Sequence, residues 1–129
     1  DIECYPILTN KTRFFKNKFN DYKNNYWHPH RDVGYTALIY MSKDDSECGT
    51  NLYRQVKPDL PESRGEHVDP WRSKENYEII KTLEPKFNRC VLFDGLRFIH
   101  GMHIPNERYF GDQYRLNQVF FFRDDSIQA

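Results

Sequence analysis

The sequence predicts a mainly β fold, a sandwich or jelly roll against which one or two short helices pack. Aromatic residues make up 16% of the chain (ten Phe, nine Tyr and two Trp), and aromatic side chains favour strands. About seven or eight short runs have strand-like patterns, whereas helical spacing occurs in only two places. Many strands with so little helix argue against an α/β sheet.

The N-terminal half supplies one helix and up to four of these strands. A short strand is expected over residues 4–8. Phe15, Phe19 and Tyr22 recur at helical spacing, so we expect an amphipathic helix within residues 12–24 that exposes its basic face to solvent. Further strands are predicted over residues 26–32, 34–42 and 49–54.

The C-terminal half begins with a long surface loop, predicted over residues 55–69 from its prolines and glycine. Asp69-Pro70 forms a favourable N-cap and first helical position, so we expect a helix from there to about Leu83. Glu84-Pro85 would end that helix. Strands are predicted over residues 89–93, 98–103 and 114–122.

Length and charge limit the possible functions. We expect one domain over residues 1–129, with a truncated N-terminus as a further expectation because the chain begins at Asp1 instead of Met. Lys+Arg and Asp+Glu balance at 19 each, so no net field attracts nucleic acid or an anionic membrane. No apolar run approaches the roughly 18 residues of a membrane span.

The three cysteines indicate the cellular compartment. Cys4, Cys48 and Cys90 form neither a paired framework nor a CxxC motif. Such usage is typical of a reducing environment, so a cytoplasmic location is expected.

The segment His30-Arg31-Asp32 is the strongest functional signal. In extended backbone the side chains of His30 and Asp32 lie on one face, as two ligands of one metal would. His28-x-His30 is a competing pair with the cupin pattern, but that pattern needs a Glu shortly afterwards and residues 32–41 contain none. We therefore prefer His30 and Asp32, which leaves His28 behind the ligands or on the substrate side.

The third ligand is expected to be His100. It lies in a segment that reads as a strand, a turn and a return strand, which places it opposite the first pair. His103 is the alternative, but on an extended strand it would face the other way, and His67 falls in the predicted loop. Two imidazoles and one carboxylate on one side of a metal leave coordination positions open, as in non-haem Fe(II) oxygenases.

Beyond these ligands, the order of several blocks resembles the Fe(II)/2-oxoglutarate-dependent dioxygenases, particularly the small prolyl-4-hydroxylase-like group. The resemblance runs over residues 26–122, and its blocks occur in the family's order and spacing. They are HRD at 30–32, ALIYMS at 37–42, GTNLY at 49–53, PKFNRCVLFD at 85–94, HG at 100–101 and YRLNQVFFF at 114–122.

This resemblance implies a double-stranded β-helix with Fe(II) held by His30, Asp32 and His100, 2-oxoglutarate as co-substrate and O₂ as oxidant. It implies hydroxylation of a peptidyl side chain or a small metabolite, with release of succinate and CO₂. Related halogenases lack the carboxylate ligand, so the presence of Asp32 favours hydroxylation.

The resemblance also implies how the co-substrate is held. Its C5 carboxylate needs a buried cation, and Arg115 matches that family position, with a fork suited to a carboxylate. Arg108 is the rival, being nearer to His100 in sequence. Tyr40 matches a hydroxyl that helps to hold the same carboxylate, with a core tyrosine as the alternative. Asn117 shares a strand face with Arg115 and is expected to add a contact.

Two other functions stay open at this point. One is a cupin-like metal protein or enzyme that works without 2-oxoglutarate and uses His28 as a ligand. The other is a binding module that keeps the barrel without catalysis. Arg115 argues against the first, because only a 2-oxoglutarate enzyme needs a buried cation opposite the metal. The complete ligand set argues against the second.

The substrate entrance is expected at the loop over residues 54–69 and the helix after it, since long loops on a rigid barrel commonly carry specificity. Trp71, Arg72 and Tyr77 are candidates to line it. Tyr26 and Trp27, beside the metal strand, would either flank the substrate or plug the end of the barrel.

Overall fold

The computed structural model describes residues 18–43, 47–59, 71–111 and 113–122, and these ranges are mainly β. One α-helix, α1 (Phe19–Asn24), precedes the strands, and single 3₁₀ turns occupy Lys74–Asn76 and Glu107–Phe110. The strands are β1 (Asn25–Trp27), β2 (Tyr35–Tyr40), β3 (Thr50–Gln55), β4 (Trp71–Ser73), β5 (Tyr77–Leu83), β6 (Cys90–Asp94), β7 (Ile99–Met102) and β8 (Asn117–Phe122).

The strands form three antiparallel sheets, in the orders β6-β2-β8, β5-β3-β7 and β1-β4. The predicted mainly β class is therefore confirmed. Within the described ranges, no helix has the length and apolar character that crossing a bilayer requires.

The two larger sheets face each other, and side chains of β2 and β3 join them. Thr36, Leu38 and Tyr40 alternate along β2 and are all buried. The Tyr40 hydroxyl donates to Thr50 Oγ1 on β3 at 3.0 Å. Leu52 lies two residues further on β3, so it shares the face of Thr50. We call the face of each sheet that carries these residues the inner face.

The outer face of the β5-β3-β7 sheet packs against the N-terminal elements. Tyr53 of β3 contacts the ring of Tyr26 in β1 at a centroid distance of 4.8 Å. Tyr26 in turn contacts Tyr22 of α1 at 6.3 Å. A Cβ on Gly101 of β7 would lie 3.3 Å from the Trp27 carbonyl oxygen, so β1 covers β7 closely. The N-terminal elements therefore cover the outer face of this sheet, and the inner face of β7 is directed towards the other large sheet.

The predicted helix from Asp69-Pro70 to Leu83 is wrong. Only Lys74–Asn76 form a 3₁₀ turn, while Trp71–Ser73 and Tyr77–Leu83 are strands β4 and β5. Six residue pairs align β5 with β3, and its Ile79, Ile80 and Thr82 are β-branched. Long-range pairing of a β-prone segment therefore prevails over the local capping signals.

The remaining predicted elements agree with the structure to different degrees. The helix within residues 12–24 is seen over Phe19–Asn24, and residues 12–17 lie outside the described ranges, as does the strand over 4–8. The strand over 26–32 is shorter, because β1 ends at Trp27. Most of the predicted loop over 55–69, including His67, also lies outside the described residues.

Candidate metal centre

His30 and His100 are held side by side by their own backbones. The amide of each donates to the carbonyl oxygen of the other at 2.9 Å, which makes an isolated antiparallel bridge. Residues paired in this way project their side chains to the same side. The two imidazole rings accordingly lie 4.4 Å apart between centroids.

Asp32 is placed by the turn that follows β6. Its amide donates to the carbonyl oxygen of Gly95 at 3.0 Å. Arg31, between the two ligands, points away and donates to the carbonyl oxygens of Leu96 and Arg97, which ties the same turn. The site needs glycine at 95, because a Cβ there would lie 2.5 Å from Thr36 Oγ1 and 2.8 Å from Asp32 Cβ.

The three side chains converge on one point. One ligand atom from each of His30, Asp32 and His100 lies within 4.8 Å of the others. His30 Nε2 is 3.5 Å from Asp32 Oδ1, and His100 Nε2 is 3.0 Å from Asp32 Oδ2. His100 is buried, and the other two are partly accessible.

Hydrogen bonds to carbonyl groups fix the orientation of both imidazoles. His30 Nδ1 donates to the carbonyl oxygen of His28 at 2.8 Å, and His100 Nδ1 donates to that of Phe98 at 3.0 Å. A neutral ring with its hydrogen on Nδ1 presents a lone pair at Nε2. Both Nε2 atoms therefore face carboxylate oxygens of Asp32, at the place where a divalent cation would be bound by all three side chains.

The carboxylate of Asp32 is kept ionised. Burial raises its pKa, but hydrogen bonds from His100 and Thr36 and the nearby imidazoles outweigh burial and hold the pKa below its usual value. Thr36 Oγ1 donates to Asp32 Oδ2 at 2.8 Å. An anionic oxygen and two imidazole nitrogens on one side of a point are a donor set that could bind a divalent metal ion.

Arg115 lies partly buried at the other end of the inner faces. Its Nε donates to the carbonyl oxygens of Cys48 and Gly49, each at 3.2 Å. One terminal nitrogen donates to Thr50 Oγ1 at 3.1 Å, and the other donates to Asn117 Oδ1. Burial lowers the pKa of Arg115, yet a guanidinium remains protonated in proteins.

No acidic side chain among the described residues balances this charge within salt-bridge distance. The neighbouring Cys48, Tyr40 and Tyr22 do not supply an anion either. Burial raises the pKa of the Cys48 thiol to about 12 and also raises the pKa values of the two tyrosines, so all three stay neutral. A buried cation surrounded by neutral donors and acceptors is suited to bind an anion.

The residues around Arg115 and the metal ligands lie on the same inner face of the β3–β7 pair. In the β3–β7 pair Thr50 aligns with Met102 and Leu52 with His100, so Thr50 and His100 are diagonal neighbours on the inner face. Such neighbours lie about 7–8 Å apart. Thr50 also accepts from Tyr40, which aligns with Asn117 in the β2–β8 pair. Arg115, Tyr40 and Asn117, which the sequence predicts to act on one carboxylate, are therefore neighbours, joined by Thr50.

The residues considered as rivals lie elsewhere. Arg108 is exposed and donates to Glu47 at 3.1 Å, so Arg115 is the buried arginine of this pair. His103 is bonded to Asn51, whose side chain is on the outer face, so it lies away from His100. His28 does not belong to the converging group, and its ring stacks on His30 at a centroid distance of 5.2 Å.

Of the candidates for the entrance, Tyr77 packs on the outer face of the β5-β3-β7 sheet, and Arg72 lies beside it. The Arg72 guanidinium and the Tyr77 hydroxyl both donate to Asp59, and the Tyr77 ring contacts Tyr53. Trp71 aligns with Trp27 in the β1–β4 pair. Because residues 77–83 are a strand of the sheet, the expected helical lid over that segment is wrong.

Sequence reasoning missed Thr36, Thr50 and Gly95. Thr36 follows Asp32 by four residues, but only the β2 backbone turns its hydroxyl towards the carboxylate. Thr50 is in the GTNLY block, where it links Arg115 to Tyr40. Gly95 follows an Asp, as in many turns, and nothing local shows that it contacts the site.

Comparison of the chain with protein-family models, with curated proteins and with solved structures finds no match.

Proposed function

We propose that this protein is an Fe(II)- and 2-oxoglutarate-dependent dioxygenase that hydroxylates a peptidyl side chain or a small metabolite and releases succinate and CO₂. The observation that carries the proposal is the convergence of His30, Asp32 and His100, with both Nε2 atoms turned to the carboxylate. This is the set of donors that non-haem iron oxygenases use.

The strand order supports a double-stranded β-helix as the fold. Taken along the chain, β2, β3, β5, β6, β7 and β8 fall into the first, second, second, first, second and first sheet. Strands that alternate between two facing antiparallel sheets are typical of jelly rolls. In such a fold the bridge between His30 and β7 would extend the second sheet by one further strand.

The residues around Arg115 support 2-oxoglutarate as the co-substrate. A dicarboxylic acid that chelates a metal with one end needs a cation for the other end. Arg115 offers its fork, while Tyr40 and Thr50 offer hydroxyl groups at the same place. The diagonal spacing of Thr50 and His100 is about 7–8 Å, which suits a ligand of this length.

In this function the iron and 2-oxoglutarate supply the oxidising chemistry, and the chain's own residues place and protect it. The carbonyl oxygens of His28 and Phe98 orient the two histidines, and Thr36 orients Asp32. Leu38 and Leu52, buried on the inner faces, exclude water between the metal end and the arginine end. Among the described residues Cys48 and Cys90 are free thiols, and such usage is typical of a reducing compartment.

The test is to mix the purified protein anaerobically with Fe(II) and 2-oxoglutarate and to record the weak visible charge-transfer band of such complexes. We expect the band in the parent protein. His100→Ala should lose it together with metal binding. Arg115→Ala should still bind the metal but should lose the band at modest 2-oxoglutarate concentration, because the C5 carboxylate has lost its partner.

Two matched controls sharpen this test. His103→Ala removes a histidine that faces the outer side, and Arg108→Ala removes an exposed arginine paired with Glu47. Both variants should keep the band. If the parent protein binds Fe(II) without forming the band, the 2-oxoglutarate assignment is wrong. If His103→Ala abolishes metal binding and His100→Ala does not, the ligand assignment is wrong as well.

A further inference from the structure

The outer face of the β6-β2-β8 sheet is largely apolar. Tyr35, Ala37 and Ile39 of β2 alternate with the inner-face residues, so they point to the outer face. Their partners on β6 and β8 project to the same face, because residues directly opposite each other do so. The Met41 amide donates to the Leu116 carbonyl oxygen at 2.9 Å, which adds one more row to this face.

Much of this face is open to solvent. Its most exposed large apolar side chains are those of Leu92 (66%), Leu116 (53%), Met41 (51%) and Tyr35 (45%). Side chains of this kind have about 150–250 Å² of surface each, so these four leave roughly 400 Å² uncovered. The rings of Phe120 and Phe122 are partly exposed as well, and Asp94 is the only charged residue of the face. An apolar patch of this size is typical of an interaction site.

The longer segments outside the described ranges join the structure at other places or are polar. Residues 1–17 lead into α1, which packs over the outer face of the β5-β3-β7 sheet. Residues 60–70 follow Asp59, which accepts from Tyr77 on that same sheet. Residues 123–129 follow β8 directly, but RDDSIQA contains a single large apolar side chain. These connections favour a second molecule as the cover of the face.

The shape of the face is suited to a second copy of this chain. Ala37 near its centre is 6% exposed, and Leu92, its partner on β6, is 66% exposed, so a recess lies beside a projection. Two sheets pack face to face about 10 Å apart. With a two-fold axis parallel to the strands, Leu92 of each copy can lie over Ala37 of the other, as a self-complementary interface requires.

The size of the face indicates how strong such a dimer is. Two copies would bury roughly 800–1,000 Å² of apolar surface, to which the polar rim would add, and this is at the low end of specific interfaces. The association should therefore be reversible and concentration-dependent.

We propose that the protein forms a two-fold dimer through the outer face of the β6-β2-β8 sheet, with Leu92 as the central contact. The inference does not rest on the proposed function. The inner face, which carries the residues around Arg115 and adjoins the candidate metal centre, stays free in such a dimer.

The test measures the mass of the protein by sedimentation velocity from low to high micromolar concentration. The mass should shift reversibly from that of the 15.7 kDa chain towards twice this value. Leu92→Glu should raise the dissociation constant by about tenfold or more, because it buries an unpaired carboxylate in each half of the interface. Leu92 is exposed in the single chain, so the variant should keep its fold.

Ile80→Glu is the matched control. Ile80 is 50% exposed and lies on β5, an outer strand of the other large sheet. The same change at this position should leave the dissociation constant unchanged.

Cys90 gives a second measurement on the face itself. It is exposed and aligns with Ile39, whereas Cys48 is buried. In a Cys4→Ser variant, the rate of Cys90 alkylation should fall as the protein concentration rises, because the partner copy covers the thiol. Addition of Leu92→Glu should remove this dependence.

A protein that stays monomeric at high micromolar concentration would overturn the inference and would indicate that another segment or partner covers the face. Unchanged association in Leu92→Glu, an equal loss in Ile80→Glu, or a dimer in which Cys90 reacts at the same rate at all concentrations would overturn it as well.

Discussion

The two faces of strand β3 are equally buried but chemically different. On the outer face, Asn51 donates to the Tyr53 hydroxyl at 3.2 Å and to His103 Nδ1 at 3.3 Å, and it accepts from Thr82 at 2.8 Å. Its polar groups are thus satisfied by one another. On the inner face, Thr50 contacts the partly buried guanidinium of Arg115, which has no acidic partner among the described residues, and Leu52 aligns with His100, whose Nε2 faces a carboxylate. Burial alone does not separate core from site, but the charge balance does.

His103, on the outer face, is also uncharged and hydrogen-bonded. Burial and the nearby Lys74 lower the pKa of His103, so its ring stays neutral and its Nδ1 can accept from Asn51. Variants of the outer face should therefore change the free energy of unfolding, whereas variants of the inner face should change metal or co-substrate affinity.

The largest effect is expected for Tyr53→Ala on the outer face. The variant removes a buried ring that packs on Tyr26 and Tyr77, and it should lower the free energy of unfolding by about 3–5 kcal/mol in urea titrations. Tyr53→Phe, which loses only the bond from Asn51, should cost about 1 kcal/mol. Fe(II) affinity of the folded protein should not change in Tyr53→Phe, and a loss of affinity there would contradict the separation of the two faces.

Gly95→Ala is expected to lower both the free energy of unfolding and the Fe(II) affinity, unlike variants of only one face. The added methyl group would lie 2.5 Å from Thr36 Oγ1 and 3.0 Å from the Gly34 carbonyl oxygen, so the backbone must shift. Overpacking of this kind costs about 1–3 kcal/mol of stability. Because Asp32 is bonded to the Gly95 carbonyl oxygen, Fe(II) affinity measured by calorimetry should fall as well. Unchanged affinity would show that the turn does not hold the carboxylate.

The sequence predicted the strands more reliably than their lengths or the second helix. The segments that became β2, β3, β6, β7 and β8 are short and β-prone, so local composition is informative. The helix predicted over residues 70–83 does not form, because pairing of β5 with β3, which is distant in sequence, outweighs the local capping signal, and Ile79, Ile80 and Thr82 are β-branched.

The candidate site was likewise predictable only where its residues follow a local sequence pattern. His30, Asp32 and His100 were predictable because extended backbone places alternate residues on one face and the block order supplied the third ligand. The bonds from Arg115 to the carbonyl oxygens of Cys48 and Gly49 join residues more than sixty positions apart. No local pattern specifies such contacts, which is why Thr50 was missed.

Thr36→Val is expected to change metal affinity alone. It keeps the side-chain shape but removes the hydroxyl that donates to Asp32, and the loss of such a supporting hydrogen bond lowers metal affinity by about 10–100-fold. Thr82→Val is the matched control, because it removes the same hydroxyl from the outer face, where it donates to Asn51. It should leave Fe(II) affinity unchanged, and an equal loss in both variants would mean that the effect is not specific to the site.

The smallest effect is expected for His28→Asn, which separates a ligand from a residue that supports one. His28 has a φ of 40°, in the left-handed region that Asn tolerates, so the substitution should keep the backbone carbonyl that accepts from His30. The variant loses the stacked ring, and aromatic pairs contribute about 0.5–1.5 kcal/mol, so Fe(II) affinity should fall by about tenfold at most. Complete loss of metal binding in calorimetry would instead make His28 a ligand, as the cupin-like alternative requires. His28 could then no longer be described as a residue that only supports the ligands His30 and His100.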